Sequence, residues 1–313
     1  MDKETIKYLK NPAEGFTKLR VQMLKRSNRA HPMDDRTYLE KLYRIKFGKE
    51  LDLEHPQTFS EKLQWLKLYD RRPEYTRMVD KYEAKEYVAS LIGEEYIIPT
   101  LGVWDRFEDI DFSALPDRFV LKCTHNSGGV VICKDKAKLN PEEIGPKFTR
   151  QLGKNYYTNN REWPYKNVKP RIIAEEYMED DEGSGELTDY KLHFFSGTCK
   201  AILVARDRFA PGGLKKDFYS ENWEHYDFTR GDSPNAEKRE PRPVQLDQMI
   251  ALGEKLAGDY PFMRTDFYVI RGKVYFGEIT FFPSSGTMRF HPDSWDKTFG
   301  DWITLPEKKT EEE

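Results

Sequence analysis

The sequence predicts an α+β fold in which two packed subdomains follow an N-terminal helical segment. Three observations carry this expectation. Two aromatic-rich stretches, 264–270 and 274–280, alternate as strands and are separated only by Arg271-Gly272-Lys273. A second strand pair, 118–123 and 130–133, is joined through His125-Asn126-Ser127-Gly128-Gly129. Before residue 80 the pattern is helical and charged, as in Phe16-Thr17-Lys18-Leu19-Arg20-Val21-Gln22-Met23-Leu24-Lys25. A chain of 313 residues is long enough for a large core and two subdomains. Its hydrophobic content of 38% is low, but 14% aromatic residues supply much burial area per side chain. The expected division is a helical region at 1–79, a smaller glycine-loop unit at 80–165, a larger strand-rich unit at 166–305 and a tail at 306–313.

Residues 1–49 hold 13 Lys/Arg against 6 Asp/Glu. Such a segment could lie on an anionic membrane surface beside a lipid-linked glycan, or simply be a solvated helical face. Met78-Val79-Asp80-Lys81-Tyr82-Glu83-Ala84-Lys85 then opens a helix that leads into Glu95-Tyr96-Ile97-Ile98-Pro99-Thr100. In the 118–133 pair the glycine loop joins strand to strand, whereas a P-loop or a dinucleotide fingerprint runs from strand into helix. Lys122, just before Ser127, Gly128 and Gly129, can instead hold the α- and β-phosphates of a nucleotide while the loop folds over the γ-phosphate. Asp109-Ile110-Asp111 matches the metal string of nucleotide-sugar transferases, but it reads as a polar loop before Leu115-Pro116.

Arg171-Ile172-Ile173-Ala174-Glu175-Glu176-Tyr177-Met178 is an apolar strand ending in two acids. Thr188-Asp189-Tyr190-Lys191 follows after the exposed turn Gly183-Ser184-Gly185. Arg206, Arg208, Lys215 and Lys216 surround Ala210-Pro211-Gly212-Gly213, a loop with enough cations to hold an acidic group, although solvated surface charge explains them slightly better.

The final hairpin is the most informative element. If 271–273 form its loop, Ile270 faces Val274, and stepping back two at a time brings Asp266 opposite Glu278. A two-residue turn without a bulge would pair Asp266 with Gly277 and throw Glu278 to the other face. Two carboxylates so close repel unless a cation sits between them, and hard oxygen ligands suit Mg²⁺ carrying a polyphosphate. Arg264 shares the strand face of Asp266. Behind the hairpin, Phe281-Phe282-Pro283-Ser284-Ser285-Gly286-Thr287 is a polar loop, and Ser284, Ser285 and Gly286 can offer hydroxyls and N–H groups to a substrate carboxylate or phosphate.

No single motif is diagnostic, but their order along the chain resembles the ATP-grasp superfamily. The blocks 58–69, 80–82, 122–129 and 266–286 resemble its TupA-like branch, over roughly residues 40 to 305. The resemblance implies an ATP-grasp fold of two α+β subdomains clasping ATP and Mg²⁺, the smaller carrying the glycine loop and the larger the metal hairpin. Lys81 and Lys122 would neutralise phosphates, with Lys85 the runner-up to Lys81. Glu175 and Glu176 would sit near the adenine amine, and Tyr177 and Met178 would give backbone contacts and packing. Asp189 and Lys191 would serve the ribose or phosphate end. Asp266, Glu278 and Thr280 would form the metal set, Thr280 standing where the superfamily usually has Asn, and Arg264 would stabilise an oxyanion. Arg206, Arg208, Ser284, Ser285 and Gly286 would meet the substrate.

The implied reaction joins a carboxylate, as in a uronic acid or amino acid, to an amine through an acyl-phosphate. The branch's namesake belongs to teichuronopeptide biosynthesis, and surface polysaccharide is the implied setting. A glycosyltransferase and a non-catalytic ATP-binding protein are the competing expectations. A formal charge of −3 gives no general attraction to nucleic acid. No stretch approaches a membrane span, and Met1-Asp2-Lys3-Glu4 does not read as a signal peptide. Cys123, Cys133 and Cys199 are unclustered and odd in number, which points to a reducing compartment rather than a disulfide framework or zinc site. The expected location is the cytoplasm, at the inner membrane face if the basic helices touch a glycolipid.

Overall fold

The computed structural model describes residues 12–179, 187–206, 213–231 and 233–308. Arg208, Ala210-Pro211-Gly212, Gly183-Ser184-Gly185 and the Thr310-Glu311-Glu312-Glu313 tail lie outside the described residues. Among the described residues the architecture is α+β, with nine α-helices and three sheets.

Five helices precede the first strand: α1 Pro12–Ala30, α2 Asp35–Phe47, α3 Phe59–Tyr69, α4 Glu74–Val79 and α5 Glu83–Ile92. Two of their starts, those of α2 and α3, are written locally. The Asp34 carboxylate accepts from the Thr37 amide at the head of α2. Thr58 and Glu61 form a reciprocal capping box on α3, each satisfying an amide the helix leaves unpaired.

The smaller sheet contains β1 Thr100–Trp104, β2 Phe119–Cys123, β3 Val130–Cys133 and β4 Ile172–Glu176, in the antiparallel order β1-β4-β2-β3. β4, expected beside the larger unit, is hydrogen-bonded between β1 and β2. One face of this sheet packs on α6, Pro141–Leu152, through Phe119, Leu121, Ile172, Ala174, Ile144 and Phe148. Strand alternation therefore leaves Lys122 on the opposite face. Cys123 and Cys133 lie at opposite ends of the β2–β3 pair, since Cys133 is opposite Phe119 while the Cys123 amide bonds the Gly129 carbonyl. All three cysteines are buried and free.

The larger sheet contains β5 Asp189–Phe195, β6 Thr198–Arg206, β7 Lys215–Tyr219, β9 Phe262–Ile270 and β10 Lys273–Thr280, in the antiparallel order β10-β9-β5-β6-β7. A two-stranded ribbon pairs β8, Thr229–Arg230, with β11, Phe290–His291. The short helix α7 spans Tyr157–Asn160. α8, Leu246–Ala257, covers one face of the larger sheet, where Phe194 meets Gly253. On the other face Phe59 of α3 clusters with Phe195, Phe262, Phe290 and Phe299, the last from α9, Ser294–Asp301. Leu39, Tyr43, Leu63, Tyr75, Met78 and Val88 join the same core, so α2 to α5 are built into the larger unit.

Candidate active site

The acidic hairpin reaches the expected pairing by a different route. Ile270 faces Lys273, not Val274, across a two-residue turn in which Arg271 and Gly272 take φ of 51° and 72°. Two successive positive φ values are the mark of a type I′ turn, whose twist matches that of the strands. The ladder then slips by one residue between Phe276 and Glu278, and this bulge at Gly277 restores Asp266 opposite Glu278. A side chain at 277 would press its Cβ to 3.0 Å from the Tyr268 ring and 3.1 Å from the Asp266 carbonyl oxygen. Glycine fits there because it adds nothing to either contact.

Sheet order extends the pair into a row, because Lys191 on β5 lies beside Asp266. Arg264, two pairs further along, reaches back over both acids. Its Nε and Nη2 donate to the two Asp266 carboxylate oxygens at 2.6 and 2.8 Å, and Nη2 also donates to Glu278 at 2.7 Å. Lys191 bonds the same Asp266 carboxylate and lies 3.2 Å from Asp189. The guanidinium is buried, which by itself favours the neutral form, but the charges of Asp266 and Glu278 outweigh this and raise its pKa. The cation between the two acids is thus Arg264. Asp266 is 1% exposed, whereas the Glu278 side chain is 40% exposed, and the Thr280 hydroxyl donates to Glu278 at 3.2 Å.

These donors fit Mg²⁺ held jointly with phosphate. Two hard carboxylates stand on neighbouring strands with a hydroxyl beside them, and one acid opens to solvent. Among the described residues no group of three or more acidic, His or Cys side chains is placed to hold a metal alone, so an ion here would take its other ligands from phosphate and water.

The smaller sheet presents a second charged cluster. Lys122 on β2 and Lys85 on α5 each lie 2.5 Å from the Glu175 carboxylate on β4. Glu175 is buried, which pushes its pKa up, but the two ammonium charges outweigh burial and leave it lowered. Lys81 donates to the Asn126 carbonyl of the glycine loop at 2.7 Å. Burial lowers the Lys81 pKa, opposed by Glu278 and Glu175 and reinforced by Lys122. Lys81 therefore sits in the fields of both clusters. Within that loop Gly128 and Gly129 have φ of 139° and 65°. Glu175, expected beside the adenine amine, is engaged by these lysines. Glu176 is exposed and its amide bonds the Pro99 carbonyl, while the buried Tyr177 ring lies under the Arg118 guanidinium, with Met178 half-buried beyond it.

The loop behind the hairpin faces inward more than the sequence suggests. Ser284 is exposed, but Ser285 and Gly286 are buried. The Ser285 hydroxyl donates to Glu162 and accepts from Asn160, and its carbonyl accepts from Lys67 at 2.9 Å and Gln64 at 3.2 Å. Gln64 also donates to the Gly286 carbonyl at 3.1 Å. Lys67 is completely buried and its pKa is pushed down to about 8, while burial raises that of Glu162. Arg206 is bound by Glu240 and the Lys238 carbonyl, opposite Lys215 at the end of β6. Asp109-Ile110-Asp111 runs from a single 3₁₀ turn into a loop in which Asp111 accepts from the Ser113 hydroxyl at 2.6 Å.

Sequence reasoning missed Lys67, Glu162, Tyr156 and Tyr165. Burial pushes both phenols up, Tyr156 to about 12, with the Glu162 and Glu278 charges adding to it. For Tyr156, Glu162 and Tyr165 the only signal was the density of Tyr, Asn and Trp at 155–165, which has no strand or helix period.

Residues 61–304 match a family model described as TupA-like ATPgrasp. No curated protein matches the sequence. Similar solved structures include a D-alanine–D-alanine ligase of Bacillus anthracis at 15% identity and TM-score 0.38, covering 78% of this chain and 67% of that one. The corresponding Helicobacter pylori ligase gives 17%, TM-score 0.36, and coverage of 73% and 62%. The ATP-grasp ligase PsnB with minimal precursor, Mg and ADP gives 10%, TM-score 0.38, and coverage of 82% and 66%. This chain thus spans about two thirds or less of the solved chains it resembles.

Proposed function

This chain belongs to the TupA-like ATP-grasp family, and we propose that it is an ATP-dependent ligase that joins a carboxylate to an amine through an acyl-phosphate. One observation carries the reading. Lys81, bonded to the glycine loop through the Asn126 carbonyl, lies within electrostatic reach both of the Lys122–Glu175 cluster and of Glu278, which the other sheet sets opposite Asp266. Polyphosphate needs this division of labour, with fixed cations on one side and a metal-holding acid pair on the other.

In this reading Lys81 and Lys122 bind phosphate oxygens, and Glu175 positions Lys122 by its ion pair. Asp266 and Glu278, with Thr280, would hold Mg²⁺, which when bound would neutralise charge on the polyphosphate. The substrate carboxylate attacks the γ-phosphorus and ADP leaves. The amine then attacks the acyl-phosphate carbonyl, Arg264 stabilises the oxyanion, and phosphate departs as the amide forms. Ser284 and its loop would border the acceptor. The carboxylate is an amino acid or uronic acid of a surface polysaccharide, and the reaction belongs to the cytoplasm, beside a membrane-borne glycan.

Incubation with ATP, Mg²⁺, pooled amino acids and uronic acids tests this. The expected outcome is substrate-dependent release of ADP and phosphate. Release of UDP from UDP-sugars would establish a glycosyltransferase instead, and nucleotide binding without turnover a non-catalytic protein.

A further inference from the structure

α1 has two unlike faces. Its inner face carries Leu24 and Val21, which pack with Tyr38, Leu42, Met33 and Ile45 on and beside α2. Its outer face carries Phe16, Leu19 and Met23, exposed by 68%, 51% and 59%. At about 3.6 residues per turn these three fall on a single stripe. Arg26 and Arg29 border the stripe on one side and Arg20 on the other, and all three are exposed. The only acid in the helix, Glu14, is half-buried on the inner side and close enough to Lys46 to act on its charge. The outer face is therefore apolar along its centre, cationic along both edges and free of acids.

We propose that this face of α1 docks the protein lengthwise on an anionic phospholipid surface. The three apolar side chains enter the boundary between headgroups and acyl chains, while the arginines lay their stems along it and keep their guanidinium groups among lipid phosphates. Charge favours lipid over a second copy of this chain. Two such faces brought together would set Arg20, Arg26 and Arg29 against each other with no acid to match them, whereas a leaflet of acidic lipid supplies the missing charge. This inference does not rest on the ligase reading.

Sedimentation of the full chain with phosphatidylcholine vesicles, with and without phosphatidylglycerol, tests it. The protein is expected to pellet with the phosphatidylglycerol vesicles alone, and less as salt rises. The triple variant Phe16→Ser, Leu19→Ser, Met23→Ser should lower vesicle affinity by about tenfold or more, and Arg20→Glu with Arg26→Glu should remove the preference for acidic lipid. Both variants should keep the native melting temperature and lipid-free ADP release. Lys122→Ala should pellet as the native protein does, which separates this test from the fate of the nucleotide site. Native protein that fails to pellet with acidic vesicles, or a triple variant that pellets unchanged, overturns the proposal. So does a lipid-free dimer that the triple variant dissociates while vesicles bind neither form.

Discussion

Replacing Glu278 by Gln separates a metal ligand from a structural acid. The substitution keeps the shape of the side chain and an oxygen for Arg264, but removes its charge. Arg264 lies 2.7 Å from Glu278, yet that carboxylate is 40% exposed, so water screens the pair and its worth is that of a surface ion pair, about 0–1 kcal/mol. Arg264 also keeps both bonds to Asp266. Glu278→Gln should therefore lower unfolding free energy by no more than about 1 kcal/mol, which for a chain of this size moves the midpoint by about 2–4 °C or less. If Glu278 is a metal ligand as proposed, ADP release should fall by about two orders of magnitude or more, because Mg²⁺ would lose one of the two carboxylates that would hold it. Calorimetry and a coupled ADP assay on one preparation decide the matter. A variant that melts well below this range yet keeps its turnover would show that the carboxylate serves the fold, and would refute its role as a metal ligand.

Asp266→Asn should behave differently: this buried acid is bonded by both Arg264 and Lys191, which would keep only Glu278 and Asp189, so a loss of up to about 3–5 kcal/mol is expected in urea unfolding. Lys122→Ala leaves Glu175 paired with Lys85, so the fold should hold while ATP binding weakens by about 1.5–3 kcal/mol; unchanged affinity by titration calorimetry would take Lys122 off the phosphates. The Lys67 pKa is depressed from 10.5 to about 8, so between those values the unfolded chain binds more protons than the folded one, and stability contributed by this group rises with pH. Melting curves of native protein and Lys67→Met at pH 8 to 10 should show the native protein gaining on the variant, and parallel curves would contradict the buried charge.

The opposed acids were legible because strand alternation fixes facing once the hairpin is recognised. The turn was misread because Arg271 adopts a left-handed conformation that Asn or Gly usually signals, which made a three-residue loop the natural expectation. Lys122 and the glycine loop could be read from a few adjacent residues. The partnership of Lys122 and Lys85 with Glu175 could not, since it depends on β4 inserting between β1 and β2. Still less visible was Lys67, whose bond to the Ser285 carbonyl spans 218 residues, and Glu162, 123 residues from Ser285. Such contacts leave no period in the sequence because each partner sits in a different element.

The bulge at Gly277 has an arithmetic consequence. Facing residues on two antiparallel strands enclose pairs plus a turn, so an even turn requires an even number of residues between them. Between Asp266 and Glu278 lie the eleven residues 267–277, an odd number. One residue must therefore go unmatched, and the chain leaves out the one without a side chain, in mid-strand rather than at the turn. Deleting Gly277 makes the count even and keeps the two acids opposed across a regular ladder. Deleting a residue between 273 and 276 leaves the same even count but must draw Gly277 into the ladder, shifting every side chain between the deletion and the glycine. Tolerance to a lost residue in this hairpin is thus concentrated at one position, next to the acid whose facing matters most.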